Sequence, residues 1–222
     1  MLDGCFIPSV LVGWRRLLAG EYRDPLVGRD LLVGCIAGGL GCFLLHLCFP
    51  LYIVFGYPEA EPLIGSRLYS DPNTLSLFSG ATAVVSIILN KILISVVFSL
   101  VICVSLYILR VLFRKTWVAI AAFLALRVML YSISDDPLVG LLINLIWVVI
   151  PLFIFFRFGI LSLAAFCLFT SILDGFPITT RTSASYFDIG LTGLILLLAL
   201  VLYAFRTSLG GRPMFGTPRL DD

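Results

Sequence analysis

Between Leu138 and Leu173 the chain carries a single charged side chain, Arg157. As one helix this stretch would be about 54 Å long, far beyond a hydrocarbon core of about 30 Å. It is too apolar to lie in water and too long to cross a membrane once, so the chain must turn within it. Gly159, just after Arg157-Phe158, is the residue whose backbone freedom permits a tight helical hairpin. The stretch from Leu75 to Phe113 poses the same problem at about 58 Å. Of 222 residues, 60% are hydrophobic and 13% charged, where a soluble domain has about 25% charged. Lipid must therefore solvate most side chains, and the expected fold is an all-α, polytopic membrane helix bundle.

The apolar runs predict about six transmembrane helices, over Leu31–Phe55, Ile92–Phe113, Thr116–Ile133, Leu138–Phe156, Phe158–Leu173 and Phe187–Phe205. Leu75–Leu89 is expected as a separate interfacial or packed helix ending at Asn90-Lys91, with one long, tilted second helix as the rival. Residues 1–30 then form a cytoplasmic or interfacial segment, 31–205 the transmembrane domain and 206–222 a cytoplasmic tail. The first residues lack the basic start and small-residue cleavage pattern of a signal peptide.

Orientation follows from the positive charges. With the N-terminus in the cytoplasm, Arg15, Arg16, Arg23, Arg29, Arg110, Arg114, Lys115, Arg157, Arg206, Arg212 and Arg219 lie inside, and only Arg67, Lys91 and Arg181 lie outside. Both termini are expected in the cytoplasm. The stretch "YRDPLVGRDLLVG" at 22–34 fits this placement. Asp24 can cap a helix, and Pro25 suits its first turn. Trp14, Arg23, Asp24, Arg29, Arg206 and Arg212 are candidate membrane-interface anchors, and residues 9–30 read as a short interfacial helix. "DPLVG" recurs at 136–140; it suits an inverted repeat, but no other segment matches at that offset, which favours two helices sharing a cap followed by an apolar run.

Polar groups within apolar runs are His46, Asn90, Lys91, Arg127, Asn144 and Asp174. Of these, His46, Arg127 and Asn144 are the candidate intramembrane polar sites. Arg127 is close enough to its span's outer end to snorkel toward Asp135 and Asp136. A lone histidine rules out two-histidine metal motifs, and the six cysteines form no C-x-x-C pair. "LFSG" at 77–80 lacks the glycine two places before the serine of an intramembrane protease, and no G-x-G-x-x-G, G-x-x-x-x-G-K or H-R-D occurs. No catalytic, cofactor or metal residue is expected. A net charge of +2 without a basic cluster gives no reason to expect nucleic acid. Gly34, Gly38, Gly39 and Gly41 form a small-residue face, suited to packing within the chain or to homo-oligomerisation.

Several stretches together resemble a known family: "WRRLLAGEYRDPLVGRDLLVG" (14–34), "LRVLFRKTWVAIAAF" (109–123), "RFGILSLAAF" (157–166), "FPITTRTSASYF" (176–187) and "FRTSLGGRPMFG" (205–216). They are similar to the multi-pass membrane region found C-terminal to the catalytic domain of certain bacterial serine/threonine protein kinases. The resemblance implies a non-catalytic anchor or sensor module in a bacterial inner (cytoplasmic) membrane, working with a cytoplasmic kinase domain. The kinase residues themselves are not in this sequence, so no catalytic role carries over. The alternative is a small-molecule or ion transporter, which needs a wet polar cavity around His46, Arg127 or Asn144.

The topology is open to a direct check. With the native cysteines replaced, single cysteines near Arg114 and Arg212 should resist an impermeant maleimide added from outside. Those at Asp71 and Asp135 should react, and the opposite pattern overturns the orientation.

Overall fold

The computed structural model describes residues 11–54, 80–131, 139–177 and 187–210. Among the described residues every regular element is helical: α1 (Val12–Leu18), α2 (Pro25–Val54), α3 (Ala81–Phe113), α4 (Thr116–Tyr131), α5 (Val139–Phe158), α6 (Ile160–Gly175) and α7 (Phe187–Ser208). Three helical segments are long and apolar enough to cross a membrane: Pro25–Leu44, Thr82–Phe113 and Phe187–Ser208. These are the helices of a membrane protein. α4 and α6 have 16 residues each, about 24 Å.

The segment expected as one interfacial helix over 9–30 is divided. α1 ends at Leu18, a turn follows, and α2 begins at Pro25. Asp24 Oδ1 accepts the Leu26 backbone N–H at 2.7 Å, so the acid caps the helix with proline in its first position. α2 therefore runs through position 30/31, and Asp30 lies inside it.

The separate helix expected over Leu75–Leu89 is not what forms. α3 is one continuous helix of 33 residues that passes through Asn90 and Lys91, while Leu75–Ser79 lie outside the described residues. No glycine or proline interrupts Ala81–Phe113. The polar side chains that suggested an end are accommodated within the bundle. Ser95 Oγ donates to Lys91 O at 2.7 Å, Ser99 Oγ donates to Val96 O at 2.8 Å, and Lys91 reaches Gly175 on α6.

The break between α5 and α6 falls at Gly159, where φ is 93°. A side chain there would be strained, and glycine turns the chain in a single residue. α6 is the centre of the bundle. None of its residues is exposed, and it packs on α2, α3, α5 and α7. One core cluster gathers Ile160, Leu163, Phe166 and Cys167 of α6 with Ile102 and Leu106 of α3, Phe123 of α4, and Leu152 and Phe155 of α5. A second cluster joins Ile172 and Phe176 to Ile87 of α3 and Leu197 of α7.

These contacts fix direction. Gly34 lies against Ser162, Ala165 and Phe166, Gly38 lies against Phe169, and Cys42 bonds Asp174, so α2 and α6 run parallel. α3 meets α6 in the opposite sense. Gly28 lies against Ser208 and Gly193 against Phe176, so α7 is antiparallel to α2. α2 and α6 thus begin at the bundle end where α3, α5 and α7 finish.

The glycine face of α2 packs within the chain. A Cβ on Gly34 would run into the Ser162 carbonyl oxygen and stand 2.6 Å from Ala165 Cβ, whereas one on Gly39 would meet only Phe169 Cε1 at 3.5 Å. Gly34→Ala should therefore destabilise the bundle by about 1–3 kcal/mol, and Gly39→Ala should leave it nearly unchanged. Thermal unfolding of both variants in the same detergent checks this contrast.

Candidate functional site

The chemistry of the described residues concentrates at the two ends of α6. At its N-terminal end Asp30 of α2 is only 4% exposed. Arg29 donates to Asp30 Oδ1 from Nη2 at 2.9 Å and from Nε at 3.2 Å. The other carboxylate oxygen lies against Gly13 of α1, beside Leu161 in the first turn of α6. A carboxylate suits that position because a helix N-terminus carries partial positive charge. Gly13 is what lets α1 sit so close, since a Cβ there would strike the carboxylate.

The C-terminal end holds both signs of charge. The Lys91 ammonium lies against Gly175, the last residue of α6, and Cys42 Sγ donates to Asp174 Oδ1 at 3.6 Å. A cation beside a helix C-terminus complements its partial negative charge. α6, enclosed by protein throughout, thus has its dipole answered at both ends by side chains from α2 and α3.

The anchor candidates fall as follows. Trp14 is half-buried and packs with Leu11 against the larger core cluster, so it ties α1 to the bundle. Asp24 caps α2 and also pairs with Arg16. Arg29 is held by Asp30. Arg23 is exposed, Arg206 is exposed in the last turn of α7, and Arg212 lies outside the described residues. Tyr203 Oη donates to Tyr22 O at 2.7 Å, which fastens the end of α7 to the turn between α1 and α2.

The intramembrane candidates lie on three different helices. His46 is exposed on α2, and its Nδ1 lies 2.7 Å from the Cys42 carbonyl one turn back. That oxygen can only accept, so Nδ1 carries the proton. Arg127 is half-buried on α4, which packs on α3 and α5, while Asp135 and Asp136 lie outside the described residues. Asn144 is on α5, with its side chain outside the described set.

Asp30 is the residue that sequence reasoning missed. In the sequence it is the second half of an Arg-Asp pair at a water boundary; only the return of α1 over it creates the burial. Ser162 Oγ and Trp147 Nε1 are also buried, without a hydrogen-bond partner among the described residues. Trp147 stands edge-on to Phe166 at 5.8 Å.

No protein-family model matches this chain, and neither does a curated protein or a solved structure.

The Asp24 cap has a pH signature. The Leu26 backbone N–H holds its carboxyl below the ordinary value of 3.8, desolvation opposes this, and Arg16 adds to the lowering. A lowered folded-state value means the stabilisation is complete above about pH 4 and is lost as pH falls through that lowered value. Protection of the amides at the start of α2, relative to their intrinsic exchange rate at each pH, should fall in acid. Asp24→Asn should keep the cap and lose this pH dependence, and Asp24→Ala should exchange fast at every pH.

Proposed function

We propose that this chain is a non-catalytic membrane module of six crossings, α2 to α7, that holds a cytoplasmic signalling partner at a bacterial inner membrane. The observation that carries this reading is where the arginines collect. Arg15, Arg16, Arg23, Arg29, Arg110, Arg114, Lys115, Arg157 and Arg206 all belong to the end where α2 and α6 begin and α3, α5 and α7 finish. A face of that kind suits the anionic, cytoplasmic leaflet, which supports a topology with both termini inside. α6 serves as a crossing despite its length because neighbouring helices, not lipid, surround it.

A serine/threonine kinase is the partner that the sequence resemblance supports. Trp14–Gly34, Leu109–Phe123 and Arg157–Phe166 are among the stretches that carry it, and all three reach this basic end. The partner would thus meet a surface built from α1, the α3–α4 turn and the Gly159 corner. Nothing in this reading asks the membrane helices to catalyse. They fix where the kinase works and hold it near the lipid surface.

Photo-crosslinkers at Leu18 and Trp117, which are 72% and 69% exposed at this end, test the association in bacterial cells. The expected adduct is a protein with ATP-dependent serine/threonine phosphotransferase activity. Adducts formed only with lipid, or only with a second copy of this chain, would remove the kinase from the reading.

A further inference from the structure

The geometry points to a binding site for the phosphate of an anionic phospholipid, in the cavity between α1, the start of α2 and the Gly159 corner. The cavity has a volume of about 110 Å³ and is lined by Gly13, Arg29, Asp30, Arg157 and Gly159 among others. At about 30 Å³ per water, it admits a phosphate group with a water or two.

Charge decides which ligand belongs there. Two arginines, Arg29 and Arg157, line the cavity with one acid, Asp30, and Arg29 is already paired with that acid. Asp30 also sits beside the first turn of α6, so its negative charge serves two positive neighbours. Among the described residues no acid pairs with Arg157; its guanidinium carbon stands 6.0 Å from the centre of the Phe158 ring. An uncompensated arginine in a cleft of this size is suited to bidentate recognition of a phosphate.

Depth and the neighbouring surface select a lipid. Asp30 is five residues into α2, about 8 Å along its axis, within reach of headgroups at the basic end. On α5, residues four and eight positions before Arg157 share its face. These are Phe153 and Val149, which are 64% and 46% exposed. A phosphate held by Arg157 therefore has exposed apolar side chains one and two turns back on the same helix, against which an acyl chain can lie. Inorganic phosphate would use the same guanidinium and gain nothing from those side chains. The inference concerns lipid alone and does not depend on the kinase.

The full chain, purified in a neutral detergent, is titrated with dioctanoyl phosphatidylglycerol, with the matching phosphatidylcholine and with inorganic phosphate, and its thermal midpoint is followed. A saturable rise with phosphatidylglycerol is expected, at most a weak one with phosphatidylcholine, and none with phosphate. Arg157→Gln should weaken the phosphatidylglycerol response roughly tenfold or more, while Arg206→Gln, outside the cavity, should retain it. A diazirine on the acyl chain should mark Phe153 or Val149 in the unaltered protein, a readout independent of how any variant folds. An equal response to inorganic phosphate overturns the lipid assignment. Equal losses in the two arginine variants, or labelling spread evenly around the bundle, overturn the site.

Discussion

Where α2 meets α6, the Cα of Gly34 faces the carbonyl oxygen of Ser162 with no room for a Cβ between them. Much of the bundle depends on that approach. Lipid offers no hydrophobic force to bring helices together, so association rests on van der Waals contact and on how closely backbones can come. Gly28 against the end of α7 and Gly193 against Phe176 repeat the device on the neighbouring helix. With α2 this close, α6 can be enclosed on every side, and its two ends are left for Asp30 and Lys91 to meet.

Features governed by local chemistry were legible in the sequence. Asp24-Pro25 announced the start of a helix, Gly159 announced a corner, and the arginine spacing matched a bundle with one basic end. Features set by a distant partner were not. Asn90-Lys91 reads as a helix end because two polar residues interrupt an apolar run; α3 continues because α6 supplies a place for the lysine. Asp30 stands beside Arg29 at the edge of an apolar run, and nothing in the sequence shows that α1, seven residues long, folds back against it. The glycines of α2 announced close approach without naming the partner, and packing within the chain proved to be the use made of them. His46, prominent as the sole histidine, faces outward and bonds its own helix.

The two ends of α6 differ in a way that bears on function. At the basic end, buried Asp30, exposed Arg29 and Arg157 and a small cavity lie together beneath a short helix. α1 adds no long helix to the membrane, yet its Trp14 reaches the same core cluster as Phe155 and Phe166. Its position is thus tied to the corner that joins α5 to α6. At the far end Cys42, Lys91 and Asp174 close the core with polar groups drawn from three helices. A change of side chain at either end would be felt by helices that do not adjoin it in the sequence.

α3 extends about 50 Å, against a hydrocarbon slab of about 30 Å. Fitting it wholly within that slab would need an inclination of about 53°, steeper than the range of about 0–40° common to spanning helices. Some of α3 must therefore protrude, or the surrounding lipid must stretch to meet it. A thinner bilayer forces the helix to lean further, and a thicker one lets it stand. α3 is held in the core between about Ile87 and Leu106 and continues past it to Arg110 and the Arg114 turn, so leaning swings that turn sideways across the basic face. Hydrophobic mismatch is in this way converted into lateral displacement of the Arg114 turn.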